Sequence, residues 1–299
     1  MKQYINYVRF GSKIRLCARN QRLVLMKEDE GISYMTLFQL LIVAIIQGLT
    51  EFLPISSSGH LALLPQVTGT QDQGLAIDVA VHVGTLLAVI IYFWQDVQVA
   101  IIGVFRLARG KIDTQGAFLA LCLILGTVPV LLVGLIIKLT GLDELMRSVT
   151  VIGWTMLIFG LVLYWADRTG DTTKTSDRWT LKDAVIMGLA QCLALIPGTS
   201  RSGITITAAR KLGYERQGAA KLSMLMSIPV IIASGAIESI EIINSANWDL
   251  MRSAMFAAFF AFLAALLALS IMMRLLRSVS FTPYVIYRVV LGVGLLIWA

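Results

Sequence analysis

Charged side chains are scarce in this chain: they make up 14% of its 299 residues, against about a quarter in a soluble domain. So few charges cannot coat an ordinary cytosolic enzyme, and they exclude a disordered tail or a coiled coil. Cysteine is also rare. Cys17, Cys122 and Cys192 lie far apart, so neither a disulfide framework nor a zinc-ligand spacing is present. Histidine is limited to His60 and His82. What the chain does have is apolar surface, at 57% of residues and a mean hydropathy of +0.79, which calls for several membrane spans. The net charge of +7 is read as loop bias in a membrane protein and not as a footprint for nucleic acid.

Residues 1–34 stand apart. They hold seven Lys/Arg (Lys2, Arg9, Lys13, Arg15, Arg19, Arg22 and Lys27) against three acids, Glu28, Asp29 and Glu30. No apolar run there is long enough for a signal-peptide core. The membrane pattern starts at Met35, with MTLFQLLIVAII, so Met35 is the expected start of the native chain and 1–34 a basic leader outside it. Residues 35–299 are expected to form a single membrane domain, with one repeat over 35–166, a linker over 167–181 and a second repeat over 182–299.

Six segments suit a bilayer crossing of about 20 helical residues: 74–94, 117–139, 149–166, 218–240, 252–273 and 284–299. Trp94, Trp165, Trp248 and Trp298 fall near their ends, where an amphipathic ring prefers the headgroup zone. The connections 95–116 and 167–181 are polar, and the second reads as the most flexible linker. Asp78 and His82, four residues apart in one span, read as a structural pair. Arg288, near the end of the last span, reads as snorkelling to the interface. Arg210 and Lys211 read as inside-facing charge.

Two further apolar regions are interrupted by Pro, Gly and Ser: 35–66, with QGLTEFLPISSSGH, and 182–212, with QCLALIPGTSRSG. A straight helix cannot pass through either, because proline removes a backbone donor and drives its predecessor out of the helical region. Two re-entrant helical hairpins follow. The hairpins echo one another at an offset of 144: Gln47 with Gln191, Leu49 with Leu193, Ser56 with Ser200, and Ser58–Gly59 with Ser202–Gly203. Three spans after each hairpin would invert the second copy relative to the first. The fold expected is therefore an all-α polytopic membrane protein, six transmembrane helices plus two re-entrant hairpins in an inverted-topology repeat. Eleven Lys/Arg fall in 95–116, 167–181, 206–217 and 274–283, while the opposite loops hold only Arg147, which makes the first set cytoplasmic. The N-terminus then lies outside, where a basic arm is disfavoured.

Polar residues at this depth are expensive and point to function. Glu51 lies four residues after Gln47 and so shares its helix face. Ser56, Ser57, Ser58, Gly59 and His60 follow the break at Pro54; Thr199, Ser200, Arg201, Ser202 and Gly203 follow Pro197. Hydroxyls and glycines at two new helix starts, with a guanidinium that stays charged, make an anion cradle suited to phosphate. A carboxylate beside a phosphate needs a cation between them, and Mg²⁺ or Ca²⁺ suits oxygen ligands, with Glu51 as the metal-binding residue. His60 is a candidate proton-transfer group, with a neighbouring serine as nucleophile. A transporter using the same cradle is the rival reading.

QGLTEFLPISSSGH and PGTSRSG, in that order, closely resemble the undecaprenyl-diphosphate phosphatase family, also called the bacitracin-resistance phosphatases. DVAVHVGTLLAVIIYFW and FTPYVIYRVVLG fit the same pattern, and the resemblance covers about 35–299. It implies hydrolysis of the terminal phosphate of a C55 isoprenyl diphosphate, recycling the lipid carrier of cell-wall synthesis. It also implies a multi-pass protein of the bacterial inner membrane, surrounded by its lipids, with a site open to the outer face. The family's acidic motif reads here as Gln47 through Glu51, leaving one carboxylate for metal. By this resemblance Ser57 is the nucleophile, His60 its proton-transfer partner, Arg201 the diphosphate clamp, and Thr199 and Ser200 the phosphate lining. A homodimer is left open, and so is attack by water in place of Ser57. Mass spectrometry of the native N-terminus is expected to find Met35 there; a peptide containing Arg22 would overturn that expectation.

Overall fold

The structure is a computed structural model that describes residues 8–10, 14–19, 22–27, 36–69, 72–142, 146, 148–242 and 248–299. The chain divides into two units, Met1–Thr36 and Leu37–Ala299. In the first, β1 (Val8–Phe10), β2 (Ile14–Arg19) and β3 (Arg22–Lys27) form an antiparallel sheet, with Ile14 opposite Lys27 and Arg19 opposite Arg22. The candidate start, Met35, lies outside the described residues.

The second unit is built of helices among its described residues. They are α1 (Leu37–Phe52), α2 (Ser57–Thr68), α3 (Leu75–Tyr92), α4 (Trp94–Leu107), α5 (Gln115–Thr140) and α6 (Val149–Thr169). After them come α7 (Leu181–Gln191), α8 (Arg201–Lys211), α9 (Arg216–Ile242), α10 (Trp248–Leu275) and α11 (Thr282–Trp298). Hydroxyl caps set several starts: Thr114 accepts from the Ala117 N–H at 3.2 Å, Ser148 from Val151 at 3.2 Å and Thr180 from Asp183 at 3.1 Å. Among the described residues five helices are long and apolar enough to cross a membrane: α3, α5, α6, α9 and α10. The sixth expected span, α11, has 17 residues, which at about 1.5 Å per residue fall short of a core about 30 Å thick.

In lipid, apolar side chains gain nothing by leaving the tails, so helices associate through close backbone approach at small residues. α10 packs on both α1 and α3, and α5 on α7. A Cβ built at Gly48 of α1 would lie 2.6 Å from the Ala264 Cβ and 2.9 Å from the Ala265 nitrogen. One at Gly188 of α7 would lie 2.8 Å from the Gly126 Cα of α5. Ala257, Ala261, Ala265 and Ala268 of α10 are buried in line with these crossings.

Three expectations change. The connection 95–116 is not simply polar loop, because α4 occupies most of it. Val97, Ala100 and Gly103 recur every three residues and bury that face against α5. Nor does 167–181 hang loose. The Lys174 N–H donates to the Gly213 carbonyl, and Lys174 accepts from the Glu215 N–H, both at 2.9 Å. Third, Arg210 does not face the inside solution: it is 1% exposed. Its Nε donates to Asp167 Oδ1 at 3.0 Å, and its other nitrogens donate to the carbonyls of Asp167, Gly170, Asp171 and Tyr214. Asp167 also accepts from Arg216 at 2.9 Å and from the Phe281 N–H at 3.3 Å. One carboxylate thus ties the end of α6 to α8, α9 and the start of α11.

Replacing Asp167 with alanine leaves Arg210 buried without its counter-charge. The cost of breaking such a pair is about 3–5 kcal/mol, to be read as a lowered melting temperature of the solubilised protein by fluorescence-detected size exclusion.

Candidate active site

Each proline-interrupted region ends one helix and starts another a few residues on. α1 ends at Phe52 and α2 starts at Ser57; α7 passes through a 3₁₀ turn at Cys192–Leu195 before α8 starts at Arg201. The residue before each new helix is a serine in the left-handed region: Ser56 at φ 74° and Ser200 at φ 71°, the non-glycine residues with positive φ among those described. That conformation costs roughly 1–2 kcal/mol. In return each serine caps its helix, Ser56 Oγ accepting from Gly59 N–H at 3.3 Å and Ser200 Oγ from Gly203 N–H at 3.1 Å. Each hydroxyl also meets the one two residues on, Ser58 at 3.3 Å and Ser202 at 3.2 Å. The sequence echo at offset 144 therefore extends to individual hydrogen bonds.

The two loops meet at Glu51. Arg201 donates to Glu51 Oε1 at 2.7 Å across 150 residues of chain. Ser57 donates to Oε2 at 2.5 Å and the Gln47 amide to the same oxygen at 2.9 Å. The Ser202 hydroxyl donates to the Leu53 carbonyl at 3.0 Å, a second bridge between the loops. Thr199 is fully buried beside them, its hydroxyl without a protein partner. An unpartnered hydroxyl costs about 1–3 kcal/mol, so a site that keeps one suits a polar ligand.

His60 stands elsewhere than the sequence suggested. Its Nδ1–H donates to the Ser56 carbonyl at 2.6 Å and its Nε2 meets the Tyr287 hydroxyl at 2.6 Å. The two rings stack with centroids 5.6 Å apart. Ser57 turns instead to Glu51, because that carboxylate is the stronger acceptor within its reach. His82 also departs from expectation. Its Nδ1–H donates to the Asp78 backbone carbonyl at 2.7 Å, not to the Asp78 carboxylate, which takes the Gln73 amide at 2.9 Å. Its Nε2 comes within 3.9 Å of Glu51 Oε2.

Arg288 is the largest correction. It does not snorkel; it is fully buried. Its guanidinium donates to Pro54 at 3.3 Å in the first loop and to Gly198 at 3.0 Å and Thr199 at 2.8 Å in the second. Two more bonds, at 3.3 Å, reach the carbonyls of Thr155 and Met156 in α6. Carbonyls at both breaks and in α6 thus share one five-donor partner. Tyr287 and Arg288 are the site residues that sequence reasoning missed. The signal was there, since an arginine inside an apolar helix is functional by default. Its place near the end of a span hid it.

Against this geometry stand the comparisons. The family model described as "Bacitracin resistance protein BacA" matches residues 40–294. The chain belongs to the BacA family. Its similar curated relatives include proteins of Roseobacter denitrificans, 73% identical over 265 residues, and Dinoroseobacter shibae, 68% identical over the same length. Each alignment covers 89% of this chain and 99% of the relative. One from Hahella chejuensis is 46% identical over 264 residues, 88% of this chain and 98% of its own. All three carry the name undecaprenyl-diphosphatase. The BacA family match takes in both serine-capped loops and the Tyr287–Arg288 pair.

Arg288→Leu removes the donors of several buried carbonyls at once. At about 1–3 kcal/mol for each carbonyl left unpaired, the variant should melt well below the wild type, and a circular-dichroism melt in detergent measures it.

Proposed function

We propose that the chain hydrolyses undecaprenyl diphosphate to undecaprenyl phosphate and inorganic phosphate, recycling the lipid carrier of bacterial cell-wall synthesis. The observation that carries the reading is the Glu51–Arg201–Ser57 constellation between two hydroxyl-capped helix starts. A carboxylate, a guanidinium and a hydroxyl within hydrogen-bond reach are the parts phosphoryl transfer needs, since it depends on positioning and charge neutralisation.

Ser57 Oγ attacks the terminal phosphorus. The new Oγ–P bond forms as the bond to the bridging oxygen breaks, undecaprenyl phosphate leaves, and the hydroxyl proton passes to Glu51. Water then hydrolyses the phosphoserine and releases phosphate, with His60, steadied by Tyr287, carrying the proton of that second step. Arg201 exchanges its single bond to Glu51 for the diphosphate, a bidentate partner that suits its planar fork better. The new helix starts at Ser57 and Arg201 present backbone N–H groups and positive dipole ends to the same anion. Thr199, Ser200, Ser56, Ser58, Ser202 and Gly203 line or shape that cradle.

Glu51 fits a divalent cation, Mg²⁺ or Ca²⁺. No group of three or more His, Cys, Asp or Glu is gathered among the described residues, and Mg²⁺ commonly takes one or two carboxylates plus substrate phosphates. Such an ion, when bound, neutralises charge on the phosphate oxygens.

The finer architecture proposed is an inverted repeat with two re-entrant hairpins, α1–α2 and α7–α8, and α11 as a sixth, shorter crossing. Its support is the matched packing: α1 and α3 lie on α10 as α7 and α9 lie on α5. With the basic loops inside, the site would open to the outer face of the inner membrane. The prenyl tail would run between helices into surrounding lipid, and a homodimer is compatible with this arrangement.

Phosphate release from C55 diphosphate by the detergent-solubilised protein, with Mg²⁺ or Ca²⁺ supplied, tests the reading. It needs no second compartment, so a pure transporter would release none. Glu51→Gln and Arg201→Ala should each lower the rate by about 10²–10³-fold, the loss typical of removing one preorganised charge-stabilising group. Full activity in either removes that residue from the mechanism. A rapid acid quench should trap phosphate on Ser57; its absence would favour direct attack by water.

A further inference from the structure

Resting on the proposed hydrolase reading and its cation, we propose that His82 is the second protein ligand of that cation, binding it through Nε2 together with the Glu51 carboxylate.

The first argument is orientation. His82 Nδ1–H is committed to the Asp78 carbonyl at 2.7 Å, which fixes the tautomer and leaves the Nε2 lone pair free. Metal-ligating histidines almost always donate their other ring N–H in this way. Nε2 then faces Glu51 Oε2 at 3.9 Å.

Distance is the second. A nitrogen–oxygen gap of 3.9 Å is too long for a hydrogen bond. The two atoms are close enough that a side-chain shift of about 1 Å would let a single ion, with ligand distances of about 2.1 Å, touch both. The His82 side chain is 36% exposed against 6% for Glu51, so protein packing does not enclose the ring as it encloses the carboxylate.

Elimination is the third. Gln47 turns its amide N–H to Glu51 and leaves its own oxygen buried without a partner. It therefore presents a donor to the carboxylate where a second acid would present a ligand. Both nitrogens of His60 are already engaged, by the Ser56 carbonyl and Tyr287. His82 is the imidazole with a free lone pair beside Glu51.

The test uses the full chain without a histidine tag, in detergent, with Mn²⁺ alone as the probe. His60 and His82 are the only histidines, so a directly coordinated nitrogen in pulsed electron paramagnetic resonance has two possible sources. The wild type and His60→Gln should show ¹⁴N modulation from a bound imidazole. His82→Gln should lose it and bind Mn²⁺ at least about tenfold more weakly, a loss that even outer partners of a ligand impose. Bound Mn²⁺ with no nitrogen signal in the wild type, a signal that survives His82→Gln, or no Mn²⁺ binding at all would each overturn the proposal. Phosphate release by the wild type is read separately. Release without a nitrogen signal refutes the ligand and spares the hydrolase, whereas a nitrogen signal without release does the reverse.

Discussion

The bond between Glu51 and Arg201 joins two segments that are 150 residues apart and never paired by secondary structure. Both groups are charged, both side chains are largely buried, and neither could stay there alone, because an isolated ion in a low-dielectric interior costs several kcal/mol. Each loop therefore needs the other before it can bury its own polar residue. The Ser202–Leu53 bond follows from that closure, as does an approach so near that a Cβ built at Gly59 would lie 3.4 Å from the Gly198 Cα. Such a pair contributes little net stability. What it enforces is register, since only one docking of the loops leaves neither charge stranded.

Arg288 solves a different problem at the same place. The breaks leave the carbonyls of Pro54, Gly198 and Thr199 outside any helix ladder, and a buried backbone acceptor needs a donor. A guanidinium can serve five at fixed angles, which neither water nor lysine could do with the same geometry. It also leaves the site with one carboxylate, Glu51, against two guanidinium groups, Arg201 and Arg288. That surplus of positive charge suits an anionic headgroup, while the carbonyls around Arg288 hold it fully buried.

Much of this was legible in the sequence, for reasons that differ by residue. The five long spans follow from runs of apolar residues, and the loops from clusters of Pro, Gly and Ser; the lone Pro129 and Pro229 leave α5 and α9 unbroken. Glu51 and Arg201 stood out because charge at that depth demands a partner, and their motifs suggested phosphate chemistry. Long-range geometry was not legible. Nothing local says that Arg210 folds back onto Asp167, or that Arg288 reaches carbonyls in three other segments. Ser57 and His60 looked like partners because three residues make a helical turn. The carboxylate from the preceding helix outcompetes the imidazole for the serine, and Tyr287 claims the ring from across the molecule. α4 was misread for a related reason: Asp96, Arg106, Arg109, Lys111 and Asp113 made the whole 95–116 connection read as polar, while the apolar stretch between the first two is too short to look like a span.

Ser56 and Ser200 each hold a backbone conformation that glycine would adopt without strain. Any search for a sturdier enzyme would single out these two positions for exchange. Yet the oxygen that would be discarded is the one that anchors the following helix and meets the next hydroxyl in the cradle. Relief of backbone strain and loss of the helix cap therefore pull in opposite directions at the same atoms, so the exchange gains less than the strain alone suggests.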